Sequence, residues 1–250
     1  MSGRPFAGRD GPDPETLERI GPLWAELHGG LWHTTHPERF LGILEKGAIQ
    51  VEPELPDPER FGTLNGRKNW PFVRFIGGVS LFDFHRFDPA VYDEICPGRN
   101  WQTFVPYRSE WDWHGAIWLE IDRTRLRASA FLSAEEVRYR WFNGGDLAHR
   151  LIAWVEAAHI GDLPLSACRR ALFVHPDGSE LHALFEEIPL EPFDHDAYEL
   201  RLVEWRRSVE RLLEHNAEGG DGSLAAQVGA WHSRRDLQAF REKYRTSGKR

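Results

Sequence analysis

Two places in the chain carry side chains whose types and spacing suit chemistry. The first is Leu31 to Ile49, LWHTTHPERFLGILEKGAI, where His33, Thr34, Thr35 and His36 stand in a row just before a helix-forming stretch. Backbone N–H groups are unsatisfied at a helix N-terminus, and its partial positive charge attracts phosphate. A nucleotide is the ligand such a cluster suits best. The second place is Glu156, which follows Leu151, Ile152, Trp154 and Val155 and stands beside Ala157 and Ala158. A carboxylate emerging from an apolar run is costly to bury without a purpose.

Each feature also has a purely structural explanation. Thr35 can serve only as a helix cap, His33 as a satisfied core histidine, and Glu156 as an exposed residue of a helix or edge strand. His33 and His36 suggest a metal pair, but they precede a helix rather than sit i, i+4 upon one. No third ligand follows at a diagnostic spacing.

The elements that must hold these residues follow from periodicity. Leu17, Ile20, Leu23, Trp24 and Leu27 predict an amphipathic helix over Pro14 to Leu27, ended by Gly29 and Gly30. A strand then opens at Leu31. In the helix after it, Thr35 and Glu38 fit a capping box, Pro37 suits the first turn, and Phe40, Leu41, Ile43 and Leu44 form an apolar stripe that Gly47 stops. Glu52 to Pro71 is rich in Pro, Gly and charge and reads as a long loop, either disordered or a lid. Gly77 to Phe84 predicts a strand, with Val79, Leu81 and Asp83 on one face and Ser80, Phe82 and Phe84 on the other. Ala116 to Asp122 is the clearest strand, with Ile117, Leu119 and Ile121 opposite Glu120 and Asp122. Another strand is expected over Ala171 to Val174.

Beyond a linker at Pro189 to Asp194, Tyr198, Leu202, Trp205, Val209 and Leu212 predict a long amphipathic helix. A second helical stretch, with Val228, Trp231, Leu237 and Phe240, leads to a basic tail. The expected organisation is a flexible leader over 1–13, a main domain over 14–190 and a C-terminal helical extension over 191–250, which caps the main domain or serves as a partner-binding arm.

The 250 residues, 41% hydrophobic and 28% charged, are enough for one substantial core. A net charge of −8 argues against a general electrostatic grip on nucleic acid, although Arg123, Arg125 and Arg127 alternate as a local basic edge. Eleven tryptophans supply large apolar areas and stacking faces. Two cysteines, Cys96 and Cys168, without disulfide or metal spacing, suit a reducing cytoplasm, and no signal or membrane-spanning segment is evident.

Taken together, three segments resemble the ADP-ribosyltransferase fold, in particular its bacterial toxin–antitoxin and phage-defence branch and its RNA 2′-phosphotransferase relatives. In those families an early strand carries a His-Thr or similar pair before a helix of the form F-x-x-I-L-x-x-G. Here these are His33-Thr34 and then Phe40, Ile43, Leu44 and Gly47. A second strand with an aromatic or Ser/Thr corresponds to Val79-Ser80-Leu81-Phe82, and a late strand with the catalytic Glu corresponds to Glu156 in WVEAAHIGDLPLSA. The resemblance covers Leu31 to Val174. Many relatives stack a Tyr of the second strand on nicotinamide, where this chain has Phe82 or Phe84, and Glu120 in WLEID is a rival carboxylate.

The resemblance implies an α+β fold, a split mixed or antiparallel sheet with flanking helices and a C-terminal helical cap. It implies NAD as substrate, with no metal. Glu156 would stabilise positive charge on the ribose, His33 would bind a ribose hydroxyl or the carboxamide, and Thr34 would add a hydrogen bond. Thr35, Arg39 and Ser80 complete the expected NAD site, with Phe82 stacking on nicotinamide. The acceptor would be an unidentified nucleic acid or protein, and an antitoxin or regulatory protein is an expected partner. A phosphotransferase or NAD-hydrolysing enzyme of the same fold is the first alternative, and a non-catalytic partner-binding module the second.

Overall fold

The computed structural model describes residues 14–55, 67, 70–95, 114–145, 149–176, 183–218, 234–235, 237–239 and 241–242. The leader, most of the loop expected as a lid, Cys96, Val228, Trp231, Phe240 and the basic tail lie outside the described residues.

The chain begins with α1 (Pro14–Leu27), whose inner face carries Leu23 and Leu27, both fully buried. Strand β1 (Leu31–Thr35) follows and turns at once into α2 (Pro37–Lys46), which Gly47 ends in the left-handed conformation with φ 63°. The expected capping box at Thr35 and Glu38 is corrected here. Thr35 is still strand, so the cap falls one residue later: the Glu38 N–H donates to His36 Nδ1 at 3.2 Å. The Glu38 carboxylate instead accepts from Arg206. After β2 (Ala48–Ile49) come α3 (Phe72–Phe75), β3 (Gly78–Asp83), α4 (Pro89–Ile95) and β4 (Ala116–Ile121). A 3-10 turn over Arg123–Arg125 precedes β5 (Phe131–Leu132) and α5 (Ala134–Asn143). Strands β6 (Glu156–Ile160), β7 (Leu163–Pro164), β8 (Cys168–Pro176) and β9 (Ala183–Ile188) lead to α6 (His195–Glu218).

Seven strands form one sheet in the order β5-β6-β3-β1-β4-β8-β9, every neighbouring pair antiparallel. The fold is therefore α+β around an antiparallel sheet. Strands β2 and β7 pair separately. Alternation sends Leu31, Val79, Leu81, Ile117, Leu119 and Ile121 to one face, where they pack with Phe40 of α2 and with α6. The other face receives Trp32, Phe82, Phe84 and Trp118, packed with Leu23 and Leu27 of α1. Near the β5–β6 end, Phe72 and Val73 of α3 and Val137 of α5 cover Leu132 and Ala158.

Helix α6 belongs to this core. Its buried face comprises Tyr198, Leu202, Trp205, Val209, Leu212 and Leu213. Two polar handles are satisfied across the seam: Tyr198 Oη donates to the Pro37 carbonyl at 2.8 Å and Trp205 Nε1 to the His114 carbonyl at 3.0 Å. No described helix is long and apolar enough to cross a membrane.

Candidate active site

The site lies where the two central strands part. Strand β1 pairs with β4 from Trp32–Glu120 to Thr35–Ile117, but with β3 only at Leu31–Asp83 and Trp32–Phe82. Beyond Phe82, β3 runs on beside β6, from Phe82–Glu156 to Gly78–Ile160. Past Trp32 the β1–β3 ladder therefore lapses, and His33 and Ser80 stand at the opening.

His33 Nδ1 lies 2.9 Å from the Ser80 carbonyl oxygen. A carbonyl only accepts, so Nδ1 carries the proton and Nε2 of the neutral ring is left as an acceptor. Burial lowers the His33 pKa from its ordinary value of 6.5, opposed in part by this bond. The ring is thus held neutral, in one tautomer and one orientation, at neutral pH.

The Ser80 side chain turns the other way. Its Oγ donates to Glu156 Oε1 at 2.6 Å, a diagonal contact on the face that Phe82 and Glu156 share. The second carboxylate oxygen, Oε2, accepts from the Ile152 N–H at 2.9 Å. Glu156 is the first residue of β6 and only 4% exposed, and among the described residues it has no cationic partner. Burial raises its pKa, and the bonds from Ile152 and Ser80 oppose that rise. Ser80 is thereby the link between the imidazole and the carboxylate, through its backbone on one side and its hydroxyl on the other. Thr34 Oγ1 is buried and, among the described residues, has no hydrogen-bond partner; it lies on the face that the Ser80 side chain also occupies. A buried hydroxyl left in that condition suits a site that a ligand completes.

The rival carboxylate has a different setting. Glu120 accepts from Arg170 Nε at 2.8 Å and lies 3.8 Å from Arg169, while Arg170 also reaches Glu26 at 2.9 Å. Glu120 belongs to an ion-pair network.

Three expected site residues, His33, Ser80 and Glu156, are brought together, and Thr34 follows His33 in β1, paired with Trp118. Arg39 lies in the first turn of α2 and is half-buried, whereas Thr35 is buried at the strand end. Phe82 is buried too, its ring stacked on Phe84 at 6.0 Å and packed against Trp118 at 5.3 Å. Those contacts make Phe82 part of the floor. Arg123 and Arg125 lie in the 3-10 turn: Arg123 covers the Phe131 ring and Arg125 donates to the Ser166 carbonyl at 2.8 Å. The Ile152 N–H was missed, because a backbone donor leaves no mark in residue types. No group of three or more His, Cys, Asp or Glu side chains able to hold a metal occurs among the described residues.

Neither a family model nor a curated protein matches the chain.

Proposed function

We propose that this protein transfers ADP-ribose from NAD to a nucleic-acid or protein acceptor and releases nicotinamide. The observation that carries the reading is the Ser80 bridge between a neutral, oriented His33 and the buried Glu156 at the parting of β1 and β3. The order of these residues along the chain is the order the resemblance leads one to expect.

Breaking the bond between ribose C1′ and nicotinamide nitrogen sends the electron pair to the leaving nicotinamide. Positive charge develops on the sugar, as in glycoside hydrolysis. The Glu156 carboxylate, held by Ser80 and Ile152, stabilises that charge when ionised. A fixed group of this kind contributes roughly 10²–10³ in rate, about 3–4 kcal/mol. His33 Nε2 accepts a ribose hydroxyl at the opening, and the Thr34 hydroxyl, on the face of the Ser80 and Glu156 side chains, adds a hydrogen bond to the ligand from that side. The acceptor nucleophile then bonds C1′ and releases its proton to water, so that the neutral nicotinamide and one proton leave. A toxin or phage-defence role in the cytoplasm, with an antitoxin as partner, belongs to the same reading.

Calorimetry with NAD on wild type and His33→Ala, with nicotinamide release followed in parallel, tests it. Saturable binding lost in His33→Ala, with release abolished by Glu156→Ala, is the expected result. No binding at millimolar NAD overturns the reading. Free ADP-ribose as the sole product would assign the enzyme to NAD hydrolysis.

A further inference from the structure

The turn that delivers Glu156 to the sheet works against its own residue types. Trp154 has φ 73°, a left-handed conformation that is strained for a bulky side chain and unstrained for glycine. Within the turn the Val155 and Glu156 N–H groups both donate to the Ile152 carbonyl, at 3.3 and 3.0 Å. The Ile152 N–H in turn donates to Glu156 Oε2. The reversal at Trp154 is what allows Ile152 to close on Glu156 from both sides, so the conformation of Trp154 must be held.

Arg138 of α5 packs on its ring. Its guanidinium carbon lies 3.9 Å from the Trp154 ring centroid. Among the described residues Arg138 has no ion pair and its buried Nε has no hydrogen-bond partner, which leaves the ring as its principal contact. Helix α5 is a firm base for it. Ser133 and Glu136 form a full capping box, Val137 is buried, and Trp141 Nε1 donates to the His149 carbonyl at 2.9 Å, where the segment leading to the turn begins.

We propose that Arg138 is a positioning residue for the Glu156 carboxylate, acting through Trp154 to keep the Ile152–Glu156 turn closed. The proposal rests on the reading of Glu156 as the reacting carboxylate, but the turn can be tested apart from it. The full chain is compared as wild type, Arg138→Ala, Trp154→Gly and the double variant, by amide exchange at Ile152 and by kcat and KM for nicotinamide release.

Arg138→Ala is expected to speed Ile152 exchange and lower kcat about tenfold each, with KM for NAD nearly unchanged. Glycine takes the left-handed conformation without a clamp, so adding Trp154→Gly should restore both values to near wild type. Exchange at Ile117 and Leu119 in β4 serves as the control for general loosening. Unchanged Ile152 exchange in Arg138→Ala, or a double variant as impaired as Arg138→Ala, overturns the proposal. If wild type releases no nicotinamide, Ile152 exchange still decides the clamp, and only the NAD reading falls.

Discussion

The two flanks of β1 carry two glutamates with opposite fates. On the β4 side the ladder is continuous, and Glu120 is fixed by Arg170 and Arg169. On the β3 side the ladder stops at Trp32 and Phe82, and Glu156 is held by a hydroxyl and a backbone N–H instead. A carboxylate beside guanidinium groups has its charge already answered. One that is buried and only hydrogen-bonded keeps its charge available for a cation that appears elsewhere. The difference lies in what surrounds each group, since the side chains are identical.

The largest test of this contrast exchanges the two. Glu156→Gln is expected to lower nicotinamide release by about 10²–10³, while Glu120→Gln leaves it within a few-fold. Glu120→Gln should instead lower stability by about 1–2 kcal/mol, as a half-buried ion pair is broken, which denaturant titration reads. The opposite pattern in the two assays would reverse the assignment.

Ser80→Ala sharpens the comparison by about one order of magnitude in rate, the cost of one hydrogen bond to a charged group. The Ser80 bond opposes the rise in the Glu156 pKa, so its removal leaves burial less opposed. The acid limb of the pH–rate profile should therefore move to higher pH. An unmoved limb would mean that Glu156 is not the group titrating in the reaction.

The smallest effect concerns stability. Because the folded Glu156 pKa is raised, the folded state holds the proton more tightly than the unfolded chain does. Stability from this group is full below the ordinary carboxylate range and is lost as pH rises through the folded pKa. Thermal melts of Glu156→Gln against wild type should show an advantage for the variant that grows with pH. His33 has the opposite sign: its lowered pKa removes stability as pH falls below 6.5, and His33→Ala should flatten that slope.

Much of the scaffold was legible because it is local. The five apolar positions spaced along α6 are all buried, and α1 spans Pro14–Leu27 as its periodicity requires. The alternation in β3 and β4 sorts Val79 and Leu81 from Phe82 and Phe84, and Ile117 and Leu119 from Glu120. The cap of α2 falls at His36, one residue later than the spacing predicts, since where a strand stops depends on its neighbours. Thr35 stays in β1 because it pairs with Ile117 across the sheet.

By itself, then, the sequence determined the elements, the faces they present and a short set of polar residues, because those depend on spacings of a few residues. Only the tertiary structure decided which polar residues meet. It placed β6 beside β3 and β3 beside β1, ended the β1–β3 ladder at Trp32, and so set Ser80 between His33 and Glu156. It also surrounded Glu120 with arginines and gave Trp154 its left-handed backbone. The meeting of His33, Ser80 and Glu156 depends on strand order and register, which join residues 47 to 76 positions apart and leave no trace in local pattern.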